Sequence, residues 1–413
     1  MKKLVILFSF LFPLFIHAQT TDTGIGFEYG KSWESILAQA KATHKYVFAD
    51  CYATWCGPCK FMAANVFTND TVGQFFKEHF VCAKVQIDTA TNDNEEAKSF
   101  YADASAINSK YHIKVFPTYL VFSPEGALVH RFIGSMGVTS FLRKAKESLS
   151  PSTQYYVMQK NFSKYLTDSS FLRRLTQAAS DVGDDCSLYF KAYVATQSSM
   201  FTKANAELIN KVTKKSKDTG FVMVLNNEAA YDKVMGNGNA SSFIINMIVN
   251  EELQNIFSKD GVKTLTKSIE TRLVKAYPKQ AKEVIASIKV TLYTEMKDWK
   301  NYATAINRYM KGYGYKVINN SVLNEYAWNV FDHIDDKSVL QAALGWSKRS
   351  ISGKDMQDAA IIDTYGNLLY KLGKVKEAIE METKALKLAP DNDKTSYIET
   401  IAKMKKGEKT WTE

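Results

Sequence analysis

The chain of 413 residues is 46% hydrophobic and 23% charged, so it can build two or three cored domains and is neither disordered as a whole nor fibrous. Lysine and arginine exceed aspartate and glutamate by ten, but the surplus is spread along the sequence; it allows acidic partners or anionic surfaces and does not mark a nucleic-acid-binding protein. Five cysteines are too few for a disulfide-stapled scaffold of this length.

Residues 1–18 carry Lys2 and Lys3, an apolar run from Leu4 to Ile16, and the small Ala18, which is the pattern of a secretory signal cut after Ala18. The run is short for a membrane span, and no later run is long and apolar enough to serve as one. The expectation is an exported, soluble mature protein, periplasmic in a Gram-negative source and secreted otherwise.

Trp33, Ile36, Leu37 and Ala40 fall at helical spacing, and Tyr46 to Tyr52 is a short apolar run that reads as a buried central strand. Asp50 is the odd residue of that strand. A buried carboxylate must be paired or protonated, so its pKa is expected to rise, and its place six residues before Cys56 puts it beneath the motif that follows.

That motif is Trp55-Cys56-Gly57-Pro58-Cys59-Lys60. Two cysteines three apart share one face of a first helical turn, where Pro58 is tolerated because its missing N–H has no intrahelical partner. The positive helix end favours a thiolate at Cys56, and Cys59, one turn deeper, can attack a mixed disulfide formed there. The bland alternatives are a zinc half-site and an inert disulfide. Zinc would need a second ligand pair, but no other C-x-x-C occurs and the six histidines are scattered, so no metal is expected. No cofactor beyond the dithiol itself is expected.

Val72 to Glu78 reads as helical and Phe80 to Ile87 as a strand, with Lys84 as the partner for Asp50. Cys51 and Cys82 sit in apolar runs as small hydrophobes. Asn92 to Ser109 is polar with helical spacing. Pro117 opens the strand Phe116 to Phe122, which suits an edge position or a cis bond beside a site. A turn at Ser123 to Gly126, a strand from Ala127 to Phe132 and a helix from Val138 to Leu149 follow.

On these residues, positions 27–150 resemble a thioredoxin domain: the strand ending in Asp50, the Trp55 to Lys60 motif, Lys84 with Val85-Gln86-Ile87-Asp88, Phe116-Pro117-Thr118, and Phe132-Ile133-Gly134. Val66-Phe67-Thr68-Asn69-Asp70 resembles the disulfide-interchange branch. The resemblance implies an α/β thioredoxin fold, a central mixed sheet flanked by helices. It implies an exposed nucleophile at Cys56, a resolving Cys59, and a buried Asp50 paired with Lys84 that moves protons to and from Cys59. It further implies a substrate strand bound near Trp55, Gly57 and Pro58 and against the backbone at Phe116, before a cis Pro117. Ala64 replaces the family's helix-kinking proline, so the dithiol helix is expected to end near Asn65.

From Pro151 the pattern is helical throughout, with a helical region at 151–300 and tetratricopeptide-like helical repeats at 301–413. Gly366, Gly373, Ala378, Ala385 and Pro390 fall at the spacing of one such repeat. Since one repeat cannot bury its own face, residues 151–413 are expected to form one continuous stack. Cys186, in a loop, is assigned no role.

The functional expectation is an exported protein-disulfide reductase. Its partners would be client proteins with disulfides, a membrane or soluble thiol electron donor, and a protein partner on the helical repeats, but no nucleic acid. The alternatives are an oxidase or isomerase, or a helical scaffold or chaperone with a thioredoxin docking module.

Overall fold

The structure is a computed structural model that describes residues 24–258, 265–316, 319–352 and 357–411. The expected signal segment 1–18 lies outside the described residues. No described helix is long and apolar enough to cross a membrane. The chain divides into two compact units, one running to Ser198 and the other beginning at Ser199.

The first unit contains β1 (Phe27–Glu28), α1 (Trp33–Thr43), β2 (Tyr46–Tyr52), α2 (Gly57–Asn65), α3 (Asp70–His79) and β3 (Phe80–Gln86). After these come α4 (Glu95–Ser99), α5 (Tyr101–Tyr111), β4 (Thr118–Phe122), β5 (Leu128–Ile133) and α6 (Val138–Glu147). The strands form one mixed sheet in the order β1-β3-β2-β4-β5. β2 pairs in parallel with β3 and antiparallel with β4, which sets Asp50 beside Lys84 on one side and Tyr119 on the other. β4 is therefore interior, not an edge strand, and Pro117 stands just before its ladder.

Helices cover both faces of the sheet, which is why β2 is apolar at nearly every position. Strand alternation then sorts its side chains. Val47, Ala49 and Cys51 pack with Ile36, Ala40 and Ile107 on one face. Phe48 packs on the other with Met62, Val66, Phe76, Tyr119 and Phe141. Asp50 has the parity of Phe48, so it belongs to the face that α2 covers. α2 ends at Asn65, in keeping with Ala64 in place of a proline.

The first unit continues past residue 150 through α7 (Tyr155–Asn161), α8 (Ser169–Asp181) and α9 (Ser187–Ala195). The Tyr155 backbone N–H donates to Nδ1 of buried His130 on β5 at 3.0 Å. Lys144 of α6 pairs with Asp181 of α8 at 3.1 Å, and Gln154 donates to the Ser148 carbonyl at 2.9 Å. These ties correct the expectation of a single stack from 151 to 413, because α7 completes the sheet-bearing unit. Cys186 is buried at the start of α9.

The second unit is helical: α10 (Lys203–Val212), α11 (Thr219–Asn226), α12 (Glu228–Met235), α13 (Asn239–Phe257), α14 (Lys267–Ala276) and α15 (Ala281–Glu295). It continues with α16 (Trp299–Tyr313), α17 (Asn320–His333), α18 (Lys337–Ser350), α19 (Ala359–Lys371), α20 (Val375–Leu388) and α21 (Lys394–Lys406). Asp298, Asn319, Asp336 and Asp358 cap α16 to α19 with their side chains, each satisfying backbone N–H groups that the helix leaves open. One apolar cluster runs through these helices, from Val290 and Tyr302 to Leu368, Ala378 and Met404.

α19 and α20 cross closely at Gly366, where a Cβ would lie 3.1 Å from Glu382 Oε2 and 3.3 Å from the Ala378 carbonyl oxygen. Glu382 is fully buried and meets no cation among the described residues, with Asp363 its charged neighbour. Burial, and next the Asp363 carboxylate, push the Glu382 carboxyl far above the usual range. Between the ordinary carboxylate range and that raised value, the folded protein keeps a proton that the unfolded chain has released. Stability is thus lost as pH rises through this window. Glu382→Gln should raise the unfolding midpoint at pH 8 and flatten its pH dependence, by at least about 1 kcal/mol, the worth of one pKa unit. Equal chemical denaturation of the two proteins at pH 5 and pH 8 would refute this.

Candidate active site

The dithiol sits where β2 hands over to α2. Cys56 is the N-cap of α2, with Gly57 and Pro58 in the first turn. The turn before it is held from below. The Asp88 carboxylate accepts the Thr54 backbone N–H at 3.0 and 3.1 Å and also the Thr54 hydroxyl. The Cys56 N–H donates to the Ala53 carbonyl at 3.1 Å. Asp88 appeared in the sequence only as part of a motif; its clamp on Thr54 joins residues 34 apart and left no local signal.

Cys56 and Cys59 form a disulfide with Cα atoms 5.3 Å apart. The Cys59 backbone N–H points at Cys56 Sγ from 3.1 Å, so the helix end supplies a donor to this sulfur. In the reduced protein the same donor and the helix dipole favour negative charge on Cys56.

The expected exposure of Cys56 needs correction. Cys56 is 3% exposed and Cys59 7%. Phe116 and Tyr52 pack on the cluster of Ala53, Cys56 and Cys59. Trp55, itself 70% exposed, meets Phe116 edge to face at 5.7 Å between ring centroids. Phe116 is brought against the dithiol by the turn before β4. The Phe116–Pro117 bond is cis. Gly134, at φ +88° where a side chain would be strained, donates its N–H to the Pro117 carbonyl at 2.9 Å.

Asp50 is 1% exposed, and its Oδ2 accepts from Lys84 Nζ at 2.6 Å. Its Oδ1 is buried without a hydrogen-bond partner among the described residues. Burial raises the Asp50 carboxyl above the usual range, and the Lys84 charge and hydrogen bond oppose this without cancelling it. Lys84 Nζ lies over the rings of Phe27, Tyr52 and Phe67 at 4.8 to 5.0 Å, and Lys84 lines a cavity of about 320 Å³ with Glu28, Tyr29 and Gln86. Sequence reasoning missed Tyr119, the β4 neighbour of Asp50. Its hydroxyl is buried without a partner among the described residues, and burial, then Asp50, push its pKa upward.

A mixed sheet with a Cys-x-x-Cys pair at the N-cap of the helix that follows its central strand, a buried acid–lysine pair on the face below and a cis proline next to the residue packed on the pair defines a thioredoxin-like thiol-disulfide oxidoreductase fold. Residues 33–147 match the family model for a thioredoxin-like domain. A thioredoxin of Mycoplasmoides gallisepticum is 33% identical over 98 residues, covering 24% of this chain and 79% of the relative. Thioredoxin Y1 of Arabidopsis thaliana chloroplasts is 30% identical over 118 residues, covering 29% of this chain and 56% of the relative. Among solved structures, a putative disulphide-isomerase from Bacteroides thetaiotaomicron is 29% identical, covering 31% of this chain and 95% of that one at a TM-score of 0.26. Through its first unit, the chain belongs to the thioredoxin family. It spans about half the length of the first curated relatives it matches, 56% and 52%.

Proposed function

We propose that the protein is an exported protein-disulfide reductase working through Cys56 and Cys59. The observation that carries this reading is the Cys56–Cys59 pair at the N-terminus of α2, with the Cys59 N–H directed at Cys56 Sγ. In the reduced protein the Cys56 thiolate attacks a client disulfide, forming a Cys56–client bond and expelling one client thiolate. Cys59 then gives up its proton and attacks Cys56 Sγ, which restores the internal disulfide and expels the second client thiolate. Two electrons pass to the client, and an external dithiol must return them.

Asp50 is proposed as the base for Cys59, with Lys84 holding its carboxylate and Trp55, Phe116 and Pro117 forming the client-binding rim. Export rests on the pattern of residues 1–18, and the reducing direction on Gly57-Pro58, the dipeptide also found between the cysteines of reducing thioredoxins. The second unit, with its paired helices, is proposed to receive partner proteins.

With dithiothreitol as donor, the purified protein should accelerate reduction of insulin, read as precipitation of the freed B chain. Equilibration with glutathione should place its potential near the thioredoxin value of about −270 mV and far from the oxidant value of about −120 mV. No acceleration of insulin reduction would refute the enzyme, and a potential near the oxidant value would reverse its direction.

A further inference from the structure

A cavity of about 800 Å³ opens between α16 and the turn joining α17 to α18. One wall is the α16 face made by Lys300, Thr304, Asn307, Arg308 and Lys311, residues spaced to share a single stripe. Tyr302, Ile306, Tyr309 and Met310 occupy the opposite, buried face of the same helix. The other wall carries His333, which stacks on Trp299 at 3.7 Å, and Asp335, Asp336 and Ser338.

Three cations on the α16 wall face two carboxylates, Asp335 and Asp336, so the cavity carries a surplus of positive charge. Asp335 pairs with Lys371 at 3.0 Å. Asp336 accepts the Ser338 N–H, the Ser338 hydroxyl and the Val339 N–H at 2.8, 2.7 and 3.1 Å. Asp298, the carboxylate that Lys300 feels, caps α16 through Asn301. Among the described residues, Lys300, Arg308 and Lys311 have no carboxylate within 4.0 Å. Arg308 and Lys311, one turn apart, place two like charges side by side on this exposed face.

We propose that this groove binds an acidic, extended peptide segment of a partner protein. From Lys300 to Lys311 the helix rises about 16 Å, the reach of about five extended residues. Thr304, Asn307 and Ser338 offer hydroxyl and amide groups to its backbone. A single-stranded nucleic acid would need an open aromatic face for its bases, and the Trp299 ring is already stacked on His333. The inference deepens the partner-receiving role proposed for the second unit, and it is read by binding alone, apart from the dithiol chemistry.

The test uses the full chain and a fluorescein-labelled, end-capped octapeptide of alternating Glu and Ser, followed by anisotropy in 50 mM salt. The acidic peptide should bind, and a Lys/Ser octapeptide should not. Arg308→Glu with Lys311→Glu should weaken binding at least about thirtyfold, and Lys300→Ala should weaken it less. Both changes lie on an exposed face, so far-UV circular dichroism should be unchanged. Equal binding by the double variant, equal binding of the basic peptide, or displacement by oligo-dT at lower concentration than the unlabelled acidic peptide would each overturn the proposal.

Discussion

Replacing Cys56 by serine should bring insulin reduction down to the rate of dithiothreitol alone, because the hydroxyl has no accessible anion to attack sulfur. Cys59→Ser should behave differently. Its Cys56 still attacks, but no second thiol resolves the product, so client proteins should accumulate on it as mixed disulfides that run as higher bands on non-reducing gels. The asymmetry follows from the helix end, where Cys56 is the N-cap residue that receives the Cys59 N–H. With Phe116 and Tyr52 packed against the cluster that holds both cysteines, Phe116→Ala in the Cys59→Ser background should enlarge the trapped set. Full activity of Cys56→Ser, or equal trapping by both serine variants, would remove the enzymatic reading.

Asp50→Asn should slow resolution by about a hundredfold, the lower end of what a positioned general base contributes, and slow the first attack by far less. Asp50 lies on the sheet face beneath α2, and its unpartnered Oδ1 is the atom left to take a proton, since Oδ2 is held by Lys84. In the wild type, resolution should speed up as pH rises through the raised Asp50 pKa, and the variant should lose that inflection. The same shift is a statement about stability. Asp50 keeps its proton in the folded chain above the pH at which the unfolded chain releases it, so its contribution is complete at low pH and lost as pH rises through the folded value. Asp50→Asn should therefore lose this pH dependence of stability, read as thermal unfolding between pH 5 and pH 8. Stopped-flow traces with both steps slowed equally would exclude the proton-relay role.

Much of this site was legible in one dimension. The apolar run Tyr46 to Tyr52, the spacing of Cys56 and Cys59, Pro58 in a first turn and Ala64 at the helix end are local signals. The first three specified β2 and the N-terminus of α2 through backbone preference and strand parity, while the end at Asn65 was expected from the family resemblance. The Asp50–Lys84 pair could be anticipated because a carboxylate inside a buried strand demands a partner. Gly366 and Ala378, placed in the sequence by resemblance to a helical repeat, meet where α19 and α20 cross. Other features depend on contacts between distant residues. The packing of Phe116 against the dithiol cluster, the hold of Asp88 on Thr54 and the Tyr119 hydroxyl left without a partner among the described residues arise only when the sheet brings separate loops together. The length of the first unit was likewise decided by His130 and Lys144 reaching residues beyond 150, since helical periodicity shows which face of α7 is apolar but not which surface will bury it.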